Sequence, residues 1–173
     1  MLIFDISMVK LKRIVLGTKQ LFENEQDAYL NQFDCPRDIC YFNKKIYVLD
    51  QGKKFVNIFS KQGDFISNFD YNLNSNNMIK NAWSIRVGLD NIVIADWKIS
   101  IFLFNLDFEL KFVLKANDVT SFCLINETRF HQPYLKLVLH CENGDLIVYR
   151  ISTVLNEMKT SSPVLIFRKN FTN

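Results

Sequence analysis

The chain has 173 residues, of which 49% are hydrophobic and 23% are charged, so we expect one soluble domain with a substantial core. Disorder is therefore not the default for this composition. The net charge is only +3, and the basic residues are scattered among acidic ones. Neither nucleic acid nor an anionic membrane is therefore the default partner.

The first residues contain two short apolar segments, LIFDIS and KLKRIVL, which are interrupted by charged side chains. No apolar run approaches the roughly 18 residues that a membrane helix needs, so the pattern predicts neither secretion nor membrane insertion. We interpret residues 1–17 as the two outer strands of a unit that precedes the first complete one.

Four cysteines are present, but no two of them form a CxxC pair. Their low density argues against a disulfide scaffold, and we expect reduced, buried thiols in a cytoplasmic protein. The four positions are Cys35, Cys40, Cys123 and Cys141.

Two long segments, residues 35–70 and 81–115, repeat one pattern with a shift of 46 residues. The positions that coincide are large apolar residues and one aspartate: Ile46 with Ile92, Val48 with Ile94, Asp50 with Asp96 and, after a deletion of one residue, Phe59 with Phe104. A third and more divergent unit covers residues 119–169. Repeats of this length indicate stacked structural units rather than one irregular fold.

Each unit divides into four short strands separated by turn signals. In the first unit the strands are predicted at 37–42, 45–50, 54–60 and 64–69. The connections are too short for helical crossovers, so each unit should be an antiparallel meander. The central strands, IYVLD, IVIAD and LVLHC, are apolar on both faces, which means that both faces of each small sheet are covered.

Four strands in a period of about 40 to 50 residues are typical of β-propeller blades. We therefore predict an all-β fold, a β-propeller of four-stranded antiparallel blades with about three and a half blades present, in one partial domain over residues 1–173. The blades are expected at 35–70, 81–115 and 119–169, after the outer strands in 1–17.

The stretch from Pro36 to Ile39, followed by IYVLD, a short polar loop, VNIFS and Gly63, resembles an NHL repeat. Residues 81–114 are similar, and the last unit, LVLHCENGDLIVYRI, also resembles a WD-type blade. Asp38 stands where the repeat usually has glycine, and Lys53, Lys54 and Phe55 stand where it has Asn-His-Leu. The resemblance implies a propeller with more blades than this chain supplies.

An incomplete propeller exposes the apolar faces of its first and last blades. We expect the remaining blades to come from a longer chain or from another subunit. The alternative is a strained ring of four blades, in which the segment VLIFRK pairs beside the N-terminal strands.

The sequence contains few candidate catalytic residues. His131 and His140 are the only histidines, and no serine or cysteine lies in a nucleophile elbow. His140 and Cys141 are neighbours on a strand and point to opposite faces, so they are poorly placed to share a metal ion. Asp50 and Asp96 recur at a strand end, which favours bonding to turn N–H groups over catalysis. We predict no enzyme activity, no cofactor and no metal.

Loops on a rigid scaffold remain as the candidate binding site. In a propeller the loop between the second and third strands and the loop entering the first strand lie on one face. Basic side chains beside tryptophan suit either a peptide or single-stranded RNA. The residues on this face are Arg37, Lys53, Lys54, Trp83, Trp97, Lys98 and Ser100. Equally, Trp83 can belong to the core and the lysines can be solvated charges.

Taken with the resemblance to NHL repeats, these features predict a non-catalytic scaffold that mediates protein–protein interaction. The first alternative is binding of single-stranded RNA through the same basic face. The second is a propeller-type lyase or lactonase, which would need a metal held by histidine or aspartate, and two histidines make such a site hard to build.

Overall fold

The computed structural model describes residues 2–7, 10–15, 33–89, 91–97, 100–129, 132–152 and 164–170. Within these ranges most of the chain is β-strand. The strands in chain order are β1 (Leu2–Ser7), β2 (Lys10–Val15), β3 (Pro36–Phe42), β4 (Lys45–Asp50), β5 (Phe55–Ser60), β6 (Phe65–Asp70), β7 (Ala82–Gly88), β8 (Asn91–Asp96), β9 (Ser100–Asn105), β10 (Leu110–Lys115), β11 (Val119–Arg129), β12 (Gln132–Cys141), β13 (Asp145–Ser152) and β14 (Val164–Asn170). One short helix, α1 (Tyr71–Asn74), follows β6.

Twelve of these strands form three four-stranded antiparallel meanders. The first sheet contains β3 to β6, the second β7 to β10 and the third β11 to β14. The prediction of four-stranded antiparallel units is confirmed, and the strands of the first unit lie within one residue of their expected bounds. The β3–β4 turn has Asn43 at φ 46° and Lys44 at φ 61°, the left-handed pair that a two-residue hairpin needs.

Strands β1 and β2 pair with each other as a two-stranded antiparallel sheet. The two N-terminal strands are therefore confirmed, while their place in a preceding blade stays a prediction. The sequence did not predict α1, whose first turn is capped by the carboxylate of Asp70, which accepts from Asn72 N and Leu73 N.

The central strand of the second sheet is buried on both faces, as its apolar sequence predicts. Ile92 and Ile94 face one core, and Val93 and Ala95 face the other; all four are 0% exposed. The first core lies between the first and second sheets and also contains Leu49 of β4. The second core lies between the second and third sheets, where β12 contributes Leu135, Leu137 and Leu139.

The first strands of the three sheets lie side by side. Asp38 of β3 accepts hydrogen bonds from Ser84 Oγ (2.6 Å) and Ile85 N (2.9 Å), and its Oδ2 lies 2.6 Å from the Arg86 guanidinium of β7. Arg86 in turn lies over the ring of Phe122 in β11, 5.5 Å from its centroid. These contacts bring the equivalent ends of all three sheets to one side of the molecule.

Gly88 shows how closely the second and third sheets approach each other. A Cβ atom at this position would lie 2.9 Å from the Asn126 side-chain oxygen of β11. A larger residue at position 88 would therefore require the Asn126 side chain to move away.

The repeat extends to the irregular positions of the sheets. Each first strand has a register shift at its second residue, which is Arg37, Trp83 or Thr120. Each outer strand has another shift against its neighbour, between Ile58 and Phe59, Leu110 and Phe112, or Val148 and Tyr149. Shared bulges are a backbone signature that residue types alone do not reveal.

The turn before the outer strand is also shared, although the residues differ. Gly63 has φ 98° in the first sheet, and Phe108 takes the equivalent place in the second sheet with φ 66°. A bulky side chain at positive φ is strained. Phe108 stacks on Phe69 of the first sheet with ring centroids 4.4 Å apart, which offsets that strain and links the outer edges of the two sheets.

We expect Phe108→Ala to lower the free energy of unfolding by about 2 kcal/mol, because the stacked ring is lost while the strained φ remains. Phe108→Gly should be about 1 kcal/mol more stable than Phe108→Ala, because glycine adopts positive φ without a steric penalty. Urea unfolding measures both values. Leu106→Ala, in the same turn, is the control. If the two Phe108 variants were equally stable, the backbone at position 108 would not be strained.

Candidate partner-binding surface

The end of the sheets at which β4 turns into β5 and β8 into β9 is called the loop end here. It is organised by Asp50, the last residue of β4, which is 0% exposed. Its carboxylate accepts hydrogen bonds from Asp34 N (2.9 Å), Cys35 N (2.9 Å) and Lys53 N (3.3 Å). One side chain thus ties the segment entering β3 to the turn leaving β4.

Asp96 repeats this arrangement at the end of β8, where it is 2% exposed. Its carboxylate accepts from Lys80 N (3.0 Å), Asn81 N (2.7 Å) and Trp97 N (3.0 Å). The predicted structural role of the two aspartates is confirmed. The structure adds the N–H groups of the entering segment, which the sequence did not predict as partners.

A backbone hydrogen bond accompanies the aspartate in both sheets and persists in the third. Gln51 N donates to Cys35 O (2.9 Å) in the first sheet, Trp97 N to Asn81 O (3.0 Å) in the second, and Glu142 N to Asp118 O (2.8 Å) in the third. In the third sheet the aspartate is replaced by Cys141, a buried thiol. A neighbouring carboxylate, Asp145, is buried there and bonds Arg168, whose hydrogen bond lowers the pKa of Asp145.

Trp97 and Trp83 form an aromatic corner at the loop end of the second sheet. Trp97 is 50% exposed and follows β8, while Trp83 is partly buried in β7. Their rings meet edge to face, with centroids 5.7 Å apart, and Trp83 meets the ring of Phe122 at 6.5 Å. The Trp83 Nε1 is buried without a hydrogen-bond partner among the described residues, so ring packing alone holds the indole.

Trp83 therefore combines the two roles that the sequence left open. Its body packs against the core between the second and third sheets, and its edge supports the exposed Trp97. Trp97 in turn is held at its backbone by Asp96, so half of an indole is presented to solvent on a fixed main chain.

The basic residues of the first sheet lie at the same end. Arg37 is exposed at the bulge of β3, and its Nε donates to Gln51 Oε1 at 2.5 Å. Lys54 is exposed with φ 62°, and its carbonyl accepts from Tyr71 N at 3.2 Å. Lys53 lies in the same turn and is partly exposed. The structure thus brings Arg37, Lys53 and Lys54 together.

Two of the predicted surface residues are not seen there. Ser100 is the first residue of β9 and is only 6% exposed, because it pairs with Asp96 inside the sheet, so its expected position on an exposed loop is wrong. Lys98 lies outside the described residues. Sequence reasoning also missed Gln51 and Phe122, since only the bulge and the packing of neighbouring sheets bring them to Arg37 and Trp83.

The cysteines depart from the expected burial. Cys141 is buried, Cys35 and Cys40 are partly exposed, and Cys123 is exposed on β11. All four are free thiols, and burial raises the pKa of Cys40. Cys141 therefore belongs to the core between the second and third sheets, and Cys40 packs against the core between the first and second sheets, whereas Cys35 and Cys123 lie outside both cores.

His140 and Cys141 lie on opposite faces of β12, one exposed and the other buried. The His140 ring lies 2.8 Å from the Thr120 hydroxyl, measured to Nδ1. Within the described ranges, no three His, Cys, Asp or Glu residues are grouped closely enough to hold a metal ion. His131 falls outside the described residues. None of the helices in the described part of the chain is long and apolar enough to span a membrane.

Comparison with known proteins supports the fold and leaves the family open. No protein-family model matches the chain, and no curated protein matches it. The resemblance to NHL repeats therefore stays a prediction. A solved structure, described as "Complex structure of the fission yeast SREBP-SCAP binding domains", is similar with a TM-score of 0.53 and 10% identity.

That similarity covers 87% of this chain and 43% of the other chain. The chain therefore spans less than half the length of the structure that it resembles. At this identity the likeness concerns the arrangement of strands alone.

We expect Asp96→Ala to destabilise the protein by about 3 kcal/mol, because three backbone N–H groups lose a charged acceptor. Asp96→Asn keeps one carbonyl oxygen and should cost about 1 kcal/mol. Denaturant unfolding compares both with Asp107→Asn, a change at an exposed turn residue. If Asp96→Ala were no less stable than this control, the carboxylate would not be holding the loop end.

Proposed function

We propose that this chain is a non-catalytic scaffold of β-propeller type that binds a protein partner through its loop end. The observation that supports it most directly is Trp97, a half-exposed indole supported by Trp83 and fixed at its backbone by Asp96. Exposed tryptophan on a rigid main chain is typical of the few residues that dominate protein interfaces.

The propeller arrangement is part of this proposal. It is supported by sheets that pack face to face and by first strands that lie side by side through Asp38, Arg86 and Phe122. The structural neighbour is described as a complex of binding domains, which fits a protein-binding role. In this arrangement the remaining blades, from a longer chain or another subunit, pack beside the first sheet.

The basic side chains at the loop end bear on the charge of the partner. Arg37 and Lys54 are exposed near the same end of the sheets as Trp97, so the partner should carry acidic residues next to an apolar anchor. Buried carboxylates of Asp50 and Asp96 lie beneath this surface, so its net positive charge is small. That balance favours a peptide over the phosphate backbone of RNA.

The test is selection of peptides from a displayed library against the purified chain. The selected peptides should bind Trp97→Ala at least about tenfold more weakly, since tryptophan anchors account for this much or more at interfaces. Tyr41→Ala, an exposed aromatic at the opposite end of β3, is the matched control and should bind normally. Peptide affinities unchanged by Trp97→Ala would contradict the proposal.

RNA binding is an explicit outcome of the same experiment. A labelled oligo(U) should bind weakly or not at all. Tight oligo(U) binding that falls steeply between about 50 and 200 mM salt, and that Lys53→Glu with Lys54→Glu abolishes, would favour the RNA alternative.

Whether further blades cover the exposed apolar faces can be tested separately. Because apolar side chains such as Ile39 and Ile125 are exposed on the outer sheets, we expect the isolated chain to bind a hydrophobic dye or to associate. Light scattering with dye fluorescence measures both. A compact monomer that binds no dye would show that nothing further needs to cover these sheets.

A further inference from the structure

The third sheet has one face that no described residue of another sheet covers. Its inner face packs on the second sheet through Leu135, Leu137 and Leu139. Side chains alternate along a strand, so the residues between these leucines point to the opposite side. This side is called the outer face of the third sheet, and it carries Cys123 and Ile125 of β11, Lys136, Val138 and His140 of β12, and Leu146, Val148 and Arg150 of β13.

The equivalent face of the second sheet is covered by the third sheet, so the residues at matching positions can be compared. Its four positions facing the third sheet are Val93, Ala95, Ile101 and Leu103, which are at most 8% exposed. Strand register makes Val138, His140, Leu146 and Val148 their counterparts on the outer face. Three of these four are still apolar, yet none of them is buried. The outer face thus keeps most of the apolar pattern of a contact surface.

The outer face of the third sheet also carries charged side chains. Lys136 and Arg150 lie directly opposite each other on β12 and β13. Like charges in this position repel. Glu127 offers the nearest described carboxylate, with Oε1 2.6 Å from Lys136 Nζ, and it also accepts a hydrogen bond from the Tyr134 hydroxyl. Glu127 therefore pairs with Lys136, and Arg150 has no ion pair with any described residue.

The titration of this cluster agrees with the geometry. The hydrogen bond from Lys136 lowers the pKa of Glu127, and the same contact raises the pKa of Lys136. Both groups are therefore charged at neutral pH. Arg150 is exposed at the far side of Lys136, so an added carboxylate can approach it from solvent.

We propose that the outer face of the third sheet is a second docking surface, and that its occupant is an extended protein segment with alternating apolar and acidic residues. The apolar side chains of that segment would cover Val138, Val148 and Cys123. A carboxylate next to them would pair with Arg150 and Lys136. This proposal uses only the third sheet, so it does not depend on the loop end.

Two other occupants fit this face less well. RNA needs aromatic platforms and phosphate contacts, whereas the row beside Val138 is aliphatic and Glu127 repels phosphate. A second copy of the chain docking through the same face would bring its own Lys136 and Arg150, so the two faces would carry the same charge. An acidic partner satisfies both the apolar row and the excess positive charge.

Cys123 provides a direct readout because its thiol is exposed on this face. The probe is a peptide of about ten residues, comparable to a long strand, in which valine alternates with glutamate and threonine. A second peptide carries lysine in place of glutamate. Peptide mapping measures the rate at which a maleimide alkylates Cys123 in the purified chain, with and without each peptide.

The glutamate peptide should slow alkylation of Cys123 and bind about tenfold more tightly than the lysine peptide. Arg150→Glu should reverse this preference, and Arg150→Gln, the milder change, should abolish it. Lys115→Glu, at an exposed position of the second sheet, is the charge-matched control and should leave the preference unchanged. Trp97→Ala should also have no effect, which separates this surface from the loop end.

Several results would overturn the proposal. Equal binding of the two peptides, or a preference for lysine, would remove the charge argument. Protection of Cys123 by oligo(U) would indicate RNA instead. Protection that rises with protein concentration, together with a dimer in light scattering, would indicate a second copy of the chain.

Discussion

The carboxylate at the end of the central strand is the interaction on which the loop ends of the first and second sheets depend. Asp50 and Asp96 are buried, and each accepts three backbone N–H groups from two separate segments of chain. One of those segments leads into the first strand of the sheet. The aspartate therefore fixes where that strand begins, and the first strands carry the polar contacts between the first and second sheets.

Some side chains of the first strands bond to the neighbouring sheet. Asp38 reaches from the first sheet to Ser84 and Arg86 of the second, and Arg86 reaches Phe122 of the third. Asp38 departs from the repeat pattern in sequence, and the structure gives the departure a role as a bond between sheets. The same chain of contacts sets Trp83 against Phe122, so the aromatic corner depends on the stacking of sheets.

The two proposed surfaces use the scaffold in different ways. The loop end presents Trp97 from a turn whose backbone is held by Asp96, so its geometry is set within the second sheet. The outer face of the third sheet is a regular β surface, and its chemistry comes from the side chains of Val138, Lys136 and Arg150. Binding at the first therefore should depend on turn geometry, and binding at the second on charge and apolar area.

The sequence by itself determined the strands, their antiparallel order, the repeat and the structural role of the aspartates. These features follow from local patterns, namely short apolar runs, turn residues and a recurring acid. Only the tertiary structure decided that Ser100 is buried, that Cys123 is exposed, and that Phe108 can occupy a position where Gly63 stands in the first sheet. Those outcomes depend on pairing within a sheet and on which neighbouring sheet covers a residue, and contacts between residues far apart in the chain leave no periodic signal in it.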